Sequence, residues 1–191
     1  MQSSDKPLDL RRTAVLAVLV GLAFLGTMFI RIPVPATTGY FNIGDMFVIL
    51  AGLWLGPLGG LVVGLLGPTA ADLIGFPQFV LATAVTKGLE GLVTGLIAKS
   101  GKAGVQRVTR SFVASAVGGA VIVVGYYVFE AILYPALGRV VPFFGITTAA
   151  AAAIEVPVNL VQAVIGAMGG VALWRFVSGG RQASGRERSD V

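Results

Sequence analysis

Thr86-Lys87-Gly88-Leu89-Glu90-Gly91 lies inside an otherwise apolar run that extends from Phe79 to Ala98. If that run spans a bilayer, Lys87 and Glu90 sit near the hydrocarbon midplane, where a lone charge costs roughly 2.5–3.5 kcal/mol on insertion scales. Spaced i, i+3 on a helix, the two side chains share one face. They either pair structurally, Lys87 with Glu90 or with Glu155 of another helix, or point together into a protein-lined cavity.

The rest of the chain decides what kind of helix this is. Of 191 residues, 55% are hydrophobic and only 12% charged, with a mean hydropathy of +0.87, whereas an ordinary soluble domain carries about 25% charge. Apolar runs close to the roughly 20 residues that cross a bilayer recur along the sequence. The fold class expected is therefore an all-α membrane protein, six transmembrane helices in one compact bundle with no second domain.

The six crossings are Thr13 to Ile30, Ile43 to Leu55, Leu58 to Ile74, Phe79 to Ala98, Ser111 to Leu133, and a last one within Thr147 to Phe176. Gly56-Pro57 makes the second and third antiparallel neighbours, Pro68 should kink the third, and Pro157 should split the last run into an interfacial turn and a span. The membrane domain then covers residues 13–177, between an N-terminal tail of residues 1–12 and a Gly/Ser/Arg-rich tail of residues 178–191 expected to be disordered. The first apolar run is too long for a typical signal-peptide core and no small-residue cleavage site closes it.

Charge orients the bundle. Six crossings put both termini on one side, together with Lys6, Arg11, Arg12, Lys99, Lys102, Arg107, Arg110, Arg175, Arg181, Arg186 and Arg188; only Arg31 and Arg139 fall opposite. By the positive-inside rule both termini are cytoplasmic. The net charge of +5 and pI of 10.0 therefore reflect membrane orientation, and no nucleic acid is expected as a partner. Cysteine and histidine are both absent, which removes disulfides, thiol catalysis, imidazole acid/base chemistry and the commonest metal ligands. No catalytic residue, metal site or cofactor is expected, and an enzyme is disfavoured.

With this topology each intramembrane polar residue acquires a depth. Lys87 and Glu90 lie near the middle; Tyr126 and Glu130 fall in the outer half of the fifth span; Glu155, Asn159 and Gln162 follow at i, i+4 and i+7 on one face of the last; Asp45 opens the second span and Asp72 closes the third. These groups converge on a cavity open to the outside, where carboxyl and amide groups can meet the N–H and O–H groups of a ligand and aromatic faces can stack on its ring. Excess carboxylate over one lysine suits a neutral or weakly basic heteroaromatic ring, because buried acceptors must be paired.

Glycines four apart, Gly56/Gly60/Gly64, Gly91/Gly95 and Gly166/Gly170, let helix backbones approach closely, and Ala17/Gly21 in the first span can do the same for a partner subunit. Gly95 to Ala103 approaches a phosphate-binding loop but fails it: five residues separate the glycines, and Ala103 stands where a magnesium-binding hydroxyl is needed. Any ATP-driven step must come from another polypeptide.

The stretches Gly39-Tyr40-Phe41-Asn42-Ile43-Gly44-Asp45, Leu55-Gly56-Pro57 with Gly59-Gly60, Ala71-Asp72-Leu73-Ile74-Gly75-Phe76-Pro77, Lys87-Gly88-Leu89-Glu90-Gly91 and Pro157-Val158-Asn159-Leu160-Val161-Gln162 occur in order between about Gly39 and Gly170. Together they resemble the substrate-binding S components of energy-coupling factor (ECF) vitamin transporters, in particular the riboflavin/hydroxymethylpyrimidine-type branch. The resemblance implies a subunit in a prokaryotic plasma membrane that captures a vitamin or precursor (hydroxymethylpyrimidine, a pyridoxine-like ring or riboflavin) from outside. It would work with a T component and two ATPase subunits and topple in the bilayer when docked. It implies a lid at Ala36 to Asn42, a docking contact near Ala17 and Gly21, and a pocket drawn from Asn42, Asp45, Lys87, Glu90, Tyr126, Glu130, Glu155, Asn159 and Gln162. The alternative from another class is a self-sufficient ion-coupled carrier, with Lys87, Glu90, Glu130 and Glu155 as a proton relay.

Overall fold

The computed structural model describes residues 9–34, 37, 39–100, 106–141 and 148–187. Within them α1 (Leu10–Met28) leads through a two-stranded antiparallel hairpin, β1 (Arg31–Pro33) and β2 (Tyr40–Asn42), into α2 (Asp45–Leu55) and α3 (Pro57–Gly75). A single turn at Pro77–Phe79 precedes α4 (Val80–Lys99), and α5 (Gln106–Val128) continues through a π-helical turn, Phe129–Leu133, into the short α6 (Tyr134–Gly138). The chain closes with α7 (Ala149–Glu187).

The long helices pack in the sequence α1, α3, α4, α5, α7, and α2 fills their centre, touching α7, α4, α3 and α1. Being enclosed, α2 buries every residue from Val48 to Gly52 instead of one stripe. At eleven residues it is about 16 Å long, roughly half a hydrocarbon core. Among the described residues five helices are long and apolar enough to cross a membrane, and α2 is a shorter apolar helix.

Glycine sets the spacing at the centre. A Cβ at Gly60 of α3 would collide with the Gly91 carbonyl of α4, and one at Gly91 with the Gly60 carbonyl. The two helices therefore meet backbone to backbone, as their four-residue glycine spacing suggests. Gly56, at φ +85°, ends α2, and Pro57 opens α3 at the position where its missing N–H is no loss. Arg12 donates to the Leu55 carbonyl at 3.1 Å and the Lys99 stem lies over Gly56, so basic residues from two helices gather at this end.

Two expectations change. Pro157 lies inside an uninterrupted α7 and splits nothing; bundled membrane helices tolerate proline because neighbours satisfy the freed backbone groups. The same helix runs on to Glu187, past the Ser178 boundary, through a polar stretch that contains no proline. Pro135 lies in the first turn of α6; residues 1–8, Ala36 of the expected lid, Lys102, residues 142–147 and residues 188–191 lie outside the described residues.

Adding a methyl group tests the glycine contact. Gly91→Ala should lower Tm in detergent by the equivalent of about 1–3 kcal/mol, while Gly21→Ala, where a Cβ meets nothing within 4 Å, should leave Tm unchanged or slightly higher.

Candidate functional site

Alternation along β2 builds the roof. Arg31 pairs with Asn42, Ile32 with Phe41 and Pro33 with Tyr40. Tyr40 and Asn42 therefore face inward, while Phe41 joins Ile32 against Pro157, Val158, Val161 and Ile165 of α7 in an apolar groove. Arg31 anchors the base of the hairpin: its Nε donates to the Thr27 carbonyl at 2.7 Å, its Nη2 to the Ala71 carbonyl at 3.0 Å, and its guanidinium lies 4.9 Å from the ring centres of Tyr40 and Phe76.

Beneath the roof, one wall is a chain of hydroxyls on a carboxylate. The Tyr40 hydroxyl donates to Asp72 Oδ1, Thr83 donates to Asp72 Oδ2 at 2.6 Å, and Thr83 also meets the Tyr126 hydroxyl at 3.0 Å. Arg31 approaches Asp72 to 3.8 Å. Burial first, then the Asp72 charge, pushes the Tyr40 phenol above its ordinary range, so it remains a donor. On the opposite wall the Gly39 N–H donates to Glu155 Oε1 at 3.1 Å, and Glu130, carried inward on the π-helical turn, hydrogen-bonds Glu155.

The floor joins the roof to the centre of the bundle. Gln162 accepts from the Asn42 N–H at 2.8 Å and donates through Nε2 to Asp45 Oδ2, also at 2.8 Å. The other Asp45 oxygen forms an ion pair with Lys87, whose ammonium lies 5.4 Å from the Tyr126 ring centre. Lys87 thus pairs with Asp45, not with Glu90 or Glu155.

A cavity of about 20 Å³ is enclosed by Gly39, Tyr40, Asn42, Asp72, Phe79, Thr83, Tyr126, Glu130, Glu155, Asn159 and Gln162. Of the nine candidate ligand contacts, Asn42, Tyr126, Glu130, Glu155, Asn159 and Gln162 line it. Asp45, Lys87 and Glu90 lie below the floor. The other lining residues are Asp72, expected at the cavity but not among the ligand contacts, Gly39 and Tyr40, expected in the lid, and Phe79 and Thr83, which were missed; Thr83 stands one turn before Lys87 on the same face of α4, and Tyr40 alternates with Asn42, signals available in the sequence. Ala17 is exposed on α1, and Gly21 faces open space.

The described residues thus form a bundle of apolar, membrane-length helices with a polar cavity beneath the β1–β2 hairpin. The family is more specific: the model of the ECF-type riboflavin transporter S component matches residues 8–178, and the chain belongs to that family. A solved structure of the S component of a bacterial ECF transporter has the same fold, with a TM-score of 0.60 at 18% identity, covering 89% of this chain and 96% of that one. A protein from Pyrococcus woesei, described as an uncharacterized protein in a gap 3' region, is 39% identical over 118 residues, which is 62% of this chain and 77% of that protein.

Truncating one partner of the buried ion pair leaves the other charge uncompensated. Asp45→Asn and Lys87→Met should each destabilise by about 3–5 kcal/mol. The double variant should lose much less than the sum, which a double-mutant cycle on thermal unfolding in detergent measures.

Proposed function

We propose that the chain is the substrate-capturing S component of an ECF transporter in a prokaryotic plasma membrane, with six crossings and both termini cytoplasmic. In this reading it binds riboflavin at the cavity under the β1–β2 hairpin and hands it to a T component coupled to two ATPase subunits. The convergence of Asn42, Tyr126, Glu130, Glu155, Asn159 and Gln162 on one lidded cavity is the observation that carries it. The family match favours riboflavin over the hydroxymethylpyrimidine-like or pyridoxine-like ring that the carboxylate excess alone suggests.

The geometry supports a definite order of events. Space for about one water does not admit a tricyclic ring, so the tip of the hairpin lifts first. That breaks Gly39 from Glu155 and Tyr40 from Asp72. Each broken bond frees a donor or acceptor for the ligand's ring edge or hydroxyls, so affinity comes from exchanging partners. Tyr40, Phe79 and Tyr126 supply aromatic faces.

The ion-coupled alternative needs Lys87 within a relay of glutamates. Its ammonium is instead held by Asp45, which favours the ATP-driven reading. Uptake in cells that persists with an uncoupler while ATP is maintained, and disappears without the ATPase subunits, is the expected result.

Two measurements test the site and the docking face. Glu155→Gln or Asn159→Ala should weaken riboflavin binding more than tenfold, read as quenching of flavin fluorescence, with Tm retained; unchanged affinity, or equal displacement of riboflavin by pyridoxine, speaks against the assignment. Ala17→Leu or Gly21→Leu should leave riboflavin affinity intact and abolish co-purification with the T component, because bulk on this open face of α1 blocks close approach.

A further inference from the structure

The face of α4 that meets α5 carries polar atoms that the ligand cavity does not use. Thr86 Oγ1, both carboxyl oxygens of Glu90, Thr94 Oγ1 and Ser115 Oγ of α5 are buried without a hydrogen-bond partner among the described residues. Glu90, Thr94 and Ser115 are 0% exposed and Thr86 is 1% exposed. Thr86, Glu90 and Thr94 follow at intervals of four, on one side of the helix. Glycines of α5 bracket them: a Cβ at Gly125 would lie 2.8 Å from Thr86 Oγ1, and one at Gly118 would lie 3.2 Å from the Glu90 carbonyl oxygen.

Charge does not balance at this seam. Asp45 and Lys87 neutralise each other and Arg31 answers Asp72; these are the ion pairs found among the described residues. Lys87 is already taken by Asp45 and both Glu90 carboxyl oxygens lack a partner among the described residues, so Glu90 in its ionised form would stand as one uncompensated negative charge. An ionised carboxylate in a low-dielectric interior needs a counter-charge.

We propose that Glu90 and Thr86 hold a small monovalent cation, Na⁺, between α4 and α5. One missing positive charge calls for a monovalent ion; a divalent ion would overshoot. Carboxylate and hydroxyl oxygens are hard donors, suited to Na⁺ and not to a soft metal. Helix side chains lean toward the N-terminus, which carries the Glu90 carboxyl toward the turn of Thr86. Thr94 lies about 6 Å further along the axis and is not part of the proposed site.

The test needs no vitamin, so its outcome is separate from the riboflavin assignment. The purified wild-type chain is unfolded thermally in sodium, potassium or choline chloride at constant ionic strength, and its equilibrium binding of radioactive sodium is measured in parallel. Saturable binding of one ion per chain is expected, with a Tm about 3–5 °C higher in sodium than in choline at roughly tenfold above Kd. Glu90→Gln should abolish both effects, and Thr86→Val should weaken sodium affinity about tenfold. Equal Tm in the three salts without saturable binding overturns the proposal and leaves Glu90 a neutral acid. A sodium response that survives Glu90→Gln unchanged overturns the location; should that variant not fold, Thr86→Val decides the location in the same assays.

Discussion

The buried pair of Asp45 with Lys87 is the constraint around which the bundle is arranged. Asp45 sits in the first turn of α2, where unsatisfied amides favour a carboxylate, and Lys87 reaches it from α4. Gln162 of α7 engages the second Asp45 oxygen and passes the connection to Asn42 of β2. Four segments are thereby fixed on two charges that are 0% and 1% exposed. Neither can be withdrawn alone, since the survivor would be an isolated charge in a low-dielectric core. The pair also explains the length of α2. Lys87 is the eighth residue of a twenty-residue helix, so α2 begins well inside the bundle, and eleven residues carry it to the end marked by Arg12 and Lys99. The space above Asp45 is left to the β1–β2 hairpin and the cavity. Non-helical backbone at that depth is tolerable because it pairs with itself and lines a protein-enclosed space.

The hairpin is held unequally at its two ends. At the base, Arg31 bonds backbone carbonyls of α1 and α3 and lies against the stacked rings of Tyr40 and Phe76. Toward the tip, Gly39 and Tyr40 are held to the bundle by side chains, Glu155 and Asp72. Contacts of that kind exchange readily with a ligand that offers matching donors and acceptors, whereas the base gains nothing by moving. Glycine at position 39 belongs to the same design: a Cβ there would collide with the Glu155 carboxyl, so only a bare backbone can lie directly on it.

Much of this was legible in the sequence, for identifiable reasons. Apolar runs of bilayer length and flanking basic residues reveal a helical membrane bundle whatever its tertiary detail, and glycines four apart mark the α3–α4 contact because backbone approach tolerates no other residue. Polar groups in the outer halves of the spans converge because each is too costly to leave in lipid; hence six of nine candidates line the cavity. Pairing was less legible. The i, i+3 spacing of Lys87 and Glu90 marks a shared face but says nothing about which neighbouring helix supplies a closer carboxylate, and Asp45 won. The π-helical turn that rotates Glu130 inward leaves no periodic trace. Tyr40 and Asp72 escaped notice as a pair because a three-residue strand is too short for alternation to stand out.

The same contacts limit how such a body can move. Sliding or splaying α3 against α4 would separate backbones in direct contact through Gly60 and Gly91, and parting α2 from α4 would divide the Asp45–Lys87 pair. Close-packed interiors shift between discrete arrangements and do not deform continuously. Opening is therefore cheap at the hairpin and expensive everywhere near the floor, which sits above a central helix enclosed by four others. A ligand admitted under the hairpin has no comparably easy way through the opposite end. In the proposed S-component reading, delivery across the membrane then calls for the whole bundle to reorient, and that reading assigns the contact to α1, which buries only 22% of its apolar window inside the bundle, the least of the five long helices among the described residues.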